Sequence, residues 1–321
     1  MAKPGAGSGN GAASGNGAGE DGAAEAGVDV GPLLGRCRFP EPGSRVELAV
    51  SGGADSLALL VLASAAGCRP VAHHVDHGLR RGSSAEADVV EAAASRLGAE
   101  VVRHVVEVAP GPNLEARART ARLAALPLGV ATGHTADDQV ETILINLLRG
   151  AGLAGLAGMV PGPRHPILAL RRSETRAVCA ASGMCPVEDP SNLDPAHLRN
   201  RVRHELVPAL CELAERDVVA VVARQADLLR KEDAFLERLA EAIDAGDARS
   251  LAHSDPVLAR RAVRGWLRRF DTEGHPPDAA AVERVLAVAR NEIRACDAGG
   301  GLRVSRSAGR LAVDATGRGE K

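Results

Sequence analysis

Aromatic residues and lysine are scarce in this chain of 321 residues. It contains no tyrosine, one tryptophan and three phenylalanines, and aromatic residues make up 1% of the sequence. This scarcity argues against binding that depends on many base-stacking side chains. Lysine occurs only at Lys3, Lys231 and Lys321, so arginine carries almost all of the positive charge. The net charge of −2 argues against a protein that holds a polyanion through its total charge alone.

Closely spaced cysteine pairs and long apolar runs are absent as well. The six cysteines are scattered and none forms C-x-x-C, which argues against a zinc or redox pair and suits a reducing compartment. No apolar run reaches the length of about 18 residues that indicates a membrane span. The N-terminus lacks the charged and apolar pattern of a signal peptide. We therefore expect a cytoplasmic protein with no membrane partner.

The Walker A pattern is also absent, but a different glycine loop is present. Residues 51–56 read Ser-Gly-Gly-Ala-Asp-Ser and lie between a short apolar run, 46–50, and a longer Ala/Leu-rich run, 57–62. These flanks predict a strand and a helix. Glycines allow a ligand to approach the backbone, and the N–H groups and dipole of a helix start attract an anion. The pattern therefore predicts a nucleotide-phosphate site formed by Ser51, Gly52, Gly53, Ala54, Asp55 and Ser56.

Strands and helices alternate after this loop. Apolar runs predict strands at 71–75, 101–108 and 129–133, and helical patterns fall at 84–97, 113–125 and 136–148. This order predicts an α/β fold with a doubly wound parallel sheet, in which ligands bind at the carboxyl ends of the strands. We expect three segments that follow strands to converge on one site: 50–56, 76–80 and 133–138.

The sequence divides into three parts. A Gly/Ala-rich stretch over residues 1–35 predicts a disordered tail. Residues 36–215 form the predicted nucleotide-binding domain, in which the Gly/Pro-rich stretch 150–164 predicts a mobile loop. Residues 216–321 are predicted to form a second, mainly helical domain, with helices at 217–243, 256–270 and 280–294 and a hairpin near 302–313.

Three carboxylates fall in the first two turns of the helix predicted at 136–148. Asp138 and Glu141 share a face of that helix, and Asp137 and Glu141 are also close at i,i+4 spacing. Acidic residues at a helix start stabilise the dipole, which accounts for one or two of them. The third carboxylate, and His134 beside them, favour a chemical role. Carboxylates near a polyphosphate hold Mg²⁺ or grip and deprotonate an amine.

Seven blocks of this sequence, in this order, resemble the tRNA(Ile)-lysidine synthases of the PP-loop ATP pyrophosphatase superfamily, in their compact form. One departure is that His165 stands where the family has an arginine before Pro-Leu. The matching blocks are SGGADS at 51–56, HVDHGLR at 74–80, NLEARAR at 113–119, TGHTADDQVET at 132–142, RGAGLAGL at 149–156, EDPSN at 188–192 and RNRVR at 199–203.

The resemblance implies a ligase that forms a C–N bond between free lysine and a tRNA. The substrate would be an isoleucine tRNA with a CAU anticodon. Its wobble cytidine attacks the α-phosphate of ATP through O2, pyrophosphate leaves, and the side-chain amine of lysine then displaces AMP at C2. Decoding would switch from AUG to AUA. ATP with Mg²⁺ is the implied co-substrate, and the helical domain is expected to contact the tRNA. The oligomeric state stays open, a homodimer included.

The resemblance also implies roles for individual residues. The implied catalytic residues are Asp55, Asp137, Asp138, Glu141, Arg117 and Arg119. Asp55 with Asp137 would hold Mg²⁺, with Asp138 as the alternative to Asp137. ATP would be bound by the glycine loop together with Asp76, His77, Gly133 and His134. The anticodon stem-loop would be contacted by Arg199, Arg201 and Arg203.

Two other functions compete with this interpretation. A different PP-loop enzyme, such as a tRNA thiolase, would need reactive cysteines, and the only close pair here is Cys179 and Cys185. A non-catalytic nucleotide-binding module would bind ATP without releasing pyrophosphate. It would have no need of the cluster at Asp137, Asp138 and Glu141.

The glycine loop leads to a first prediction. Asp55→Ala should abolish pyrophosphate release while the protein stays folded, because this carboxylate would offset the charge that develops at the phosphates. Pyrophosphate release measured beside a circular dichroism spectrum tests this. Normal turnover by the variant would remove Asp55 from the site.

Overall fold

The computed structural model describes residue 1 and residues 30–76, 83–106, 114–270 and 277–315. A four-stranded parallel sheet with the strand order β3-β2-β1-β4 organises the first part of the chain. This sheet confirms the predicted α/β fold. Its strands are β1 Arg45–Ala49, β2 Arg69–Asp76, β3 Glu100–Val105 and β4 Ala131–Thr132.

Helices cover the sheet, and α2 is the most deeply buried of them. Every residue from Leu57 to Ala63 in α2 is buried, as expected for a helix that is apolar on all sides. It packs with Leu48 of β1 and with Val178 of α7 in the largest core of the protein. The helices of this part are α1 Gly31–Leu34, α2 Ala54–Ala65, α3 Ser83–Arg96, α4 Leu114–Ala125, α5 Ala136–Leu148, α6 Leu153–Leu156 and α7 Arg172–Ala181.

The Gly/Pro-rich stretch 150–164 has more structure than a mobile loop would have. It contains the short helix α6, and Gln139 of α5 both accepts from Met159 N at 2.7 Å and donates to Met159 O at 3.0 Å. Arg230 donates to the carbonyl groups of Ala157 and Met159. These hydrogen bonds fasten the stretch to two long helices.

The C-terminal part is mainly helical, as predicted, and has a small antiparallel sheet. Asp217, Asp247, Asp255 and Asp278 each cap a helix by accepting a backbone N–H. The elements are α8 Leu198–Arg201, a π-helical turn Val202–Leu206, α9 Val207–Leu213, α10 Val218–Glu241, α11 Ala248–His253, α12 Pro256–Arg268, α13 Ala279–Ala289, β5 Ala295–Gly299, β6 Leu302–Ser307 and β7 Arg310–Ala315.

Three elements differ from the prediction in ways that change the fold description. Helix α13 ends at Ala289 rather than 294, because Asn291 adopts a left-handed conformation (φ 66°) that starts a turn into β5. The predicted hairpin is therefore part of a three-stranded sheet. Strand β4 has only two residues instead of five, because Val130 N bonds back to Pro127 O in a turn. Strand β3 ends at Val105 instead of 108.

Two large cores lie in the two halves of the chain, and α5 contributes to a third, smaller core. Val140 and Leu144 of α5 pack with Val202 and with Val219 of α10.

Residues 2–29 of the predicted tail lie outside the described residues, while its end, residues 31–34, forms α1. The domain limits at 35 and 215 stay predictions. No helix in the described ranges has the length and apolar character needed to cross a membrane.

Gly133 allows β4 and α2 to approach each other at the carboxyl end of the sheet. A Cβ built at Gly133 would lie 2.7 Å from the Asp55 carbonyl oxygen and 3.0 Å from Ser56 N. Both contacts are with backbone atoms, which cannot move aside as a flexible side chain could. Glycine is therefore required for His134 and α5 to lie this close to the glycine loop.

We expect Gly133→Ala to lower the melting temperature by about 5 °C, because overpacking costs about 1–3 kcal/mol. Gly265→Ala is the matched control, since a Cβ there meets open space within α12 and alanine favours the helix. Differential scanning fluorimetry of both variants decides the matter. Equal melting temperatures for the two would contradict the close approach at Gly133.

Candidate active site

The glycine loop is closed by hydrogen bonds of Ser56. Its Oγ donates to the Gly53 carbonyl at 2.9 Å and accepts from Ser51 N at 3.1 Å. Gly52 has a φ of +82°, which favours glycine. Gly53 is the N-cap of α2, so the N–H groups at the start of the helix face the loop. This arrangement suits an anion such as a phosphate group.

Asp55 lies in the first turn of α2 and ties that helix to α7. Its Oδ1 accepts from Thr175 Oγ1 at 2.5 Å, and its Oδ2 lies 3.4 Å from Arg172 Nε. Burial raises the pKa of Asp55, although the Thr175 hydroxyl and the Arg172 guanidinium oppose this effect. The carboxylate is thus partly desolvated beside the glycine loop.

Asp138 and Glu141 are the two most buried carboxylates near the loop, with 7% and 1% of their surface exposed. Both lie on α5, which begins after Thr135. Asp138 Oδ2 accepts from Thr135 N at 2.9 Å in a capping box. The same sequence feature that starts the helix therefore fixes one of the two carboxylates.

Three guanidinium groups converge on these two carboxylates. Arg172 donates to Asp138 at 2.9 Å and to Glu141 at 3.1 Å. Arg199 donates to the same pair at 3.0 and 2.8 Å, and Arg203 donates to Glu141 at 2.7 Å. Although burial opposes ionisation, Arg172, the Thr135 N–H and Arg199 hold the pKa of Asp138 below its usual range. The carboxylates in turn outweigh burial and raise the pKa of Arg172.

Local helix geometry explains why Arg199 and Arg203 reach the same carboxylates. They are four residues apart, so their side chains project from one face. Arg203 lies in the π-helical turn Val202–Leu206, an irregularity that is frequent at functional sites. Arg201 is on another face, largely exposed, with only a 3.9 Å contact to Glu205.

Arg171 joins the third α5 carboxylate to the C-terminal part. Its guanidinium contacts both oxygens of Asp137, at 3.1 and 3.2 Å, and also pairs with Asp217, the N-cap of α10. The Arg172 backbone N–H adds a 2.8 Å bond to Asp137. We refer to the whole set as the charge cluster: Asp55, Asp137, Asp138, Glu141, Arg171, Arg172, Arg199 and Arg203.

The structure brings together most of the residues that the sequence assigned to a site. The glycine loop, Gly133 and the four carboxylates converge, while Asp76 ends β2 and His134 directly precedes Thr135, the N-cap of α5. Arg117 is half-buried on α4. Two assigned groups are outside the described residues, namely His77 and the side chain of Arg119. Arg199 and Arg203, which are predicted to contact tRNA, pair here with Asp138 and Glu141.

The predicted site residues do not include Arg171, Arg172 and Thr175. One signal was available, because two adjacent arginines at a helix N-terminus oppose the helix dipole. Such a placement needs a compensating partner, and here Asp137, Asp138 and Glu141 provide it. The partners lie more than 30 residues away, so the sequence could not identify them.

The carboxylates differ in how well they suit Mg²⁺. Within the described residues, no group of three or more His, Cys, Asp or Glu side chains is arranged to hold a metal ion. Oxygen ligands are the kind that Mg²⁺ prefers. Asp55 fits this role, since its Oδ2 has only the long contact to Arg172, whereas Asp137 would first have to release Arg171.

Comparison with known proteins agrees with this geometry. The PP-loop domain family matches residues 33–210. The chain is 42% identical to the tRNA(Ile)-lysidine synthase of Nocardia farcinica, over 71% of this chain and 77% of that protein. It is 39% identical to that of Rhodococcus opacus, over 85% and 90%, and 41% identical to that of Salinispora tropica, over 86% and 92%. This chain belongs to the tRNA(Ile)-lysidine synthase family.

Membership of the tRNA(Ile)-lysidine synthase family confirms the predicted enzyme class, a ligase with a PP-loop domain that uses ATP. It argues against a non-catalytic nucleotide-binding module and against a thiolase. The roles assigned to individual residues stay predictions. Each role must be compatible with the ion pairs of the charge cluster.

The lowered pKa of Asp138 predicts a specific pH dependence of stability. A carboxylate with a lowered folded-state pKa stabilises the protein above its ordinary pKa of about 3.9, and this contribution is lost as the pH falls through the folded-state value. Asp138→Asn should therefore lower the free energy of unfolding by about 3 kcal/mol near pH 7. The difference from the unmodified protein should shrink below about pH 4.

Urea unfolding from pH 7 to pH 3 measures this difference. Asp88→Asn is the control, because its side chain is 76% exposed and has only a 3.9 Å contact to Arg103. If the difference in free energy of unfolding between Asp138→Asn and the unmodified protein stays constant down to pH 3, the pKa of Asp138 is not lowered by folding.

Proposed function

We propose that this enzyme ligates lysine to C2 of the wobble cytidine in an isoleucine tRNA with a CAU anticodon. The observation that carries the proposal is the juxtaposition of a phosphate-suited glycine loop with two buried carboxylates, Asp138 and Glu141. One feature suits ATP and the other suits an ammonium group. The names of the relatives support tRNA(Ile) as the acceptor.

In the first half-reaction, the cytidine O2 attacks the α-phosphate and pyrophosphate leaves. The backbone N–H groups of Gly52 and Gly53, with the hydroxyls of Ser51 and Ser56, would bind the leaving pyrophosphate. Asp55 is the side chain that we assign to Mg²⁺, with Asp137 in second place. When bound with ATP, Mg²⁺ neutralises charge on the phosphates.

The rest of the nucleotide would be bordered by Gly133 and His134, which follow β4, and by Asp76, which ends β2. These two strands end at the same edge of the sheet. His77 belongs to the same proposed set. Arg117 and Arg119 on α4 would stabilise the adenylated intermediate, whose phosphate remains anionic.

In the second half-reaction, the lysine amine displaces AMP. We assign Asp138 and Glu141 to grip the lysine ammonium and to accept a proton, because an amine attacks only when neutral. These carboxylates already hold Arg172, Arg199 and Arg203. A lysine ammonium would therefore enter by replacing a guanidinium rather than by filling an empty site.

The tRNA backbone offers these arginines an alternative anion. Arg199 and Arg203 have 35% and 21% of their side chains exposed, so phosphates could draw them away from the carboxylates. The tRNA roles assigned to Arg199 and Arg203 then require this exchange, while Arg201 could contact phosphate without it. Binding of tRNA would prepare the site for lysine.

Labelled lysine tests the function directly. The enzyme is incubated with ATP, Mg²⁺, labelled lysine and an isoleucine tRNA transcript with a CAU anticodon, and label in the tRNA is counted. We expect ATP-dependent incorporation that a methionine tRNA does not support. Pyrophosphate release without lysine incorporation would retain the PP-loop chemistry and refute the acceptor.

If a lysine ammonium replaces an arginine at Asp138 and Glu141, loss of that arginine should change the KM for lysine and the KM for tRNA in opposite directions. Arg203→Gln should lower the KM for lysine about tenfold, because one competing guanidinium is gone, and should raise the KM for tRNA. Arg201→Gln is the matched control and should affect only tRNA. Steady-state kinetics with each substrate varied in turn distinguishes the two. A rise in the KM for lysine in Arg203→Gln would contradict the competition.

A further inference from the structure

Two histidine rings meet at one hydroxyl beside the candidate active site. Thr132 Oγ1 lies 2.6 Å from His134 Nδ1 and 2.9 Å from His165 Nδ1. The two rings are arranged edge to face, with centroids 5.1 Å apart. His165 follows the Gly/Pro-rich stretch 150–164 and lies in the turn 162–168.

The backbone holds this arrangement in place. Thr132 N donates to the Arg164 carbonyl at 2.9 Å, and Leu168 N donates to the His165 carbonyl at 3.2 Å. His165 also forms an isolated antiparallel bridge with Gly162. The turn that carries His165 is therefore fixed to the end of β4, one residue before the tight packing of Gly133 on Asp55.

The hydroxyl of Thr132 has a single hydrogen to donate. Its three neighbours are the two Nδ1 atoms and the Arg164 carbonyl, which lies farther away at 3.2 Å and already accepts from Thr132 N. At least one ring must therefore donate its Nδ1–H to Thr132 Oγ1. The protonation states of the two histidines are coupled through this atom.

The distances from Thr132 Oγ1 to the two rings indicate which ring donates and which accepts. A separation of 2.9 Å is ordinary for an N–H donor, while the shorter 2.6 Å separation is closer to that of an O–H donor. His165 Nδ1–H would then donate to Thr132, and Thr132 O–H would donate to His134 Nδ1. In a neutral His134 ring, the remaining proton would be on Nε2.

We propose that His165 is a positioning residue that acts through Thr132 to keep His134 as the Nε2–H tautomer, ready to donate to a phosphate oxygen of ATP. The proposal rests on the ATP site of the proposed function and not on the tRNA or lysine steps. An N–H donor is the form that an anionic phosphate requires.

The charged neighbours are consistent with this assignment. Burial and the charge of Arg164 lower the pKa of His165, which favours its neutral ring. The charge of Asp138 interacts with His134 from the first turn of α5. We call the chain of hydrogen bonds from His165 through Thr132 to His134 the relay. The proposal rests on the geometry of this relay, and the neighbouring charges support it only in addition.

Nitrogen NMR tests the tautomer without any need for activity. The enzyme is labelled with ¹⁵N-histidine, and the His134 signals are assigned with His134→Gln. We expect Nε2 of His134 to be protonated and Nδ1 to be bare at pH 7.5, and Thr132→Val to abolish this preference. A protonated Nδ1 in the unmodified enzyme would overturn the proposal.

Five variants test the consequence for ATP chemistry, measured as pyrophosphate release. Thr132→Val and His165→Leu should each lower kcat about tenfold with little change in the KM for lysine, and the double variant should be no worse than either. Thr132→Ser and His165→Asn should restore most activity, because each retains the required donor.

Melting temperatures separate a folding defect from a lost relay. If His165→Asn loses as much activity as His165→Leu at equal stability, or if the two losses multiply in the double variant, the relay is refuted. An unmodified enzyme that binds ATP but never transfers lysine would refute the proposed function, while the NMR result would still decide the relay.

Discussion

The pairing of four partly or fully buried carboxylates with four guanidiniums is the constraint on which the rest of this structure depends. A buried charge is costly without a partner, and removal of one partner leaves the other uncompensated. The charge cluster draws its members from α2, α5, α7 and the helical segment from 198 to 206. The ion pairs therefore link the helices around the glycine loop to one another in addition to their apolar packing.

We propose that such a cluster binds charged ligands by exchange. The carboxylates that suit a lysine ammonium already hold arginines, and the arginines that suit phosphate already hold carboxylates. A substrate that brings its own charge would therefore replace an existing partner, and two substrates of opposite charge would replace both sides together. Arg171 extends the network to Asp217 at the start of α10, so contacts made by the helical part are electrostatically linked to Asp137.

Local signals explain which elements could be predicted. Helix α5 has the predicted bounds, because Thr135 and Asp138 form its cap and its apolar residues keep helical spacing to Leu148. Strand β5 was missed because a run of small and charged residues gives no alternation, and only its pairing with β6 makes it a strand. His165 similarly looked like a lost arginine in the sequence. Its contact with Thr132 depends on the tertiary structure, which places the 162–168 turn against β4.

The sequence by itself determined the glycine loop, the start of α5 and the presence of three carboxylates on that helix. These features depend on spacing within one element, where backbone geometry alone fixes which side chains are neighbours. Only the tertiary structure decided what the carboxylates bind. Arg171, Arg172, Arg199 and Arg203 lie about 30 to 60 residues farther along the chain. A guanidinium on a long, flexible side chain can pair with any carboxylate that packing brings within reach, so its partner is a property of the fold.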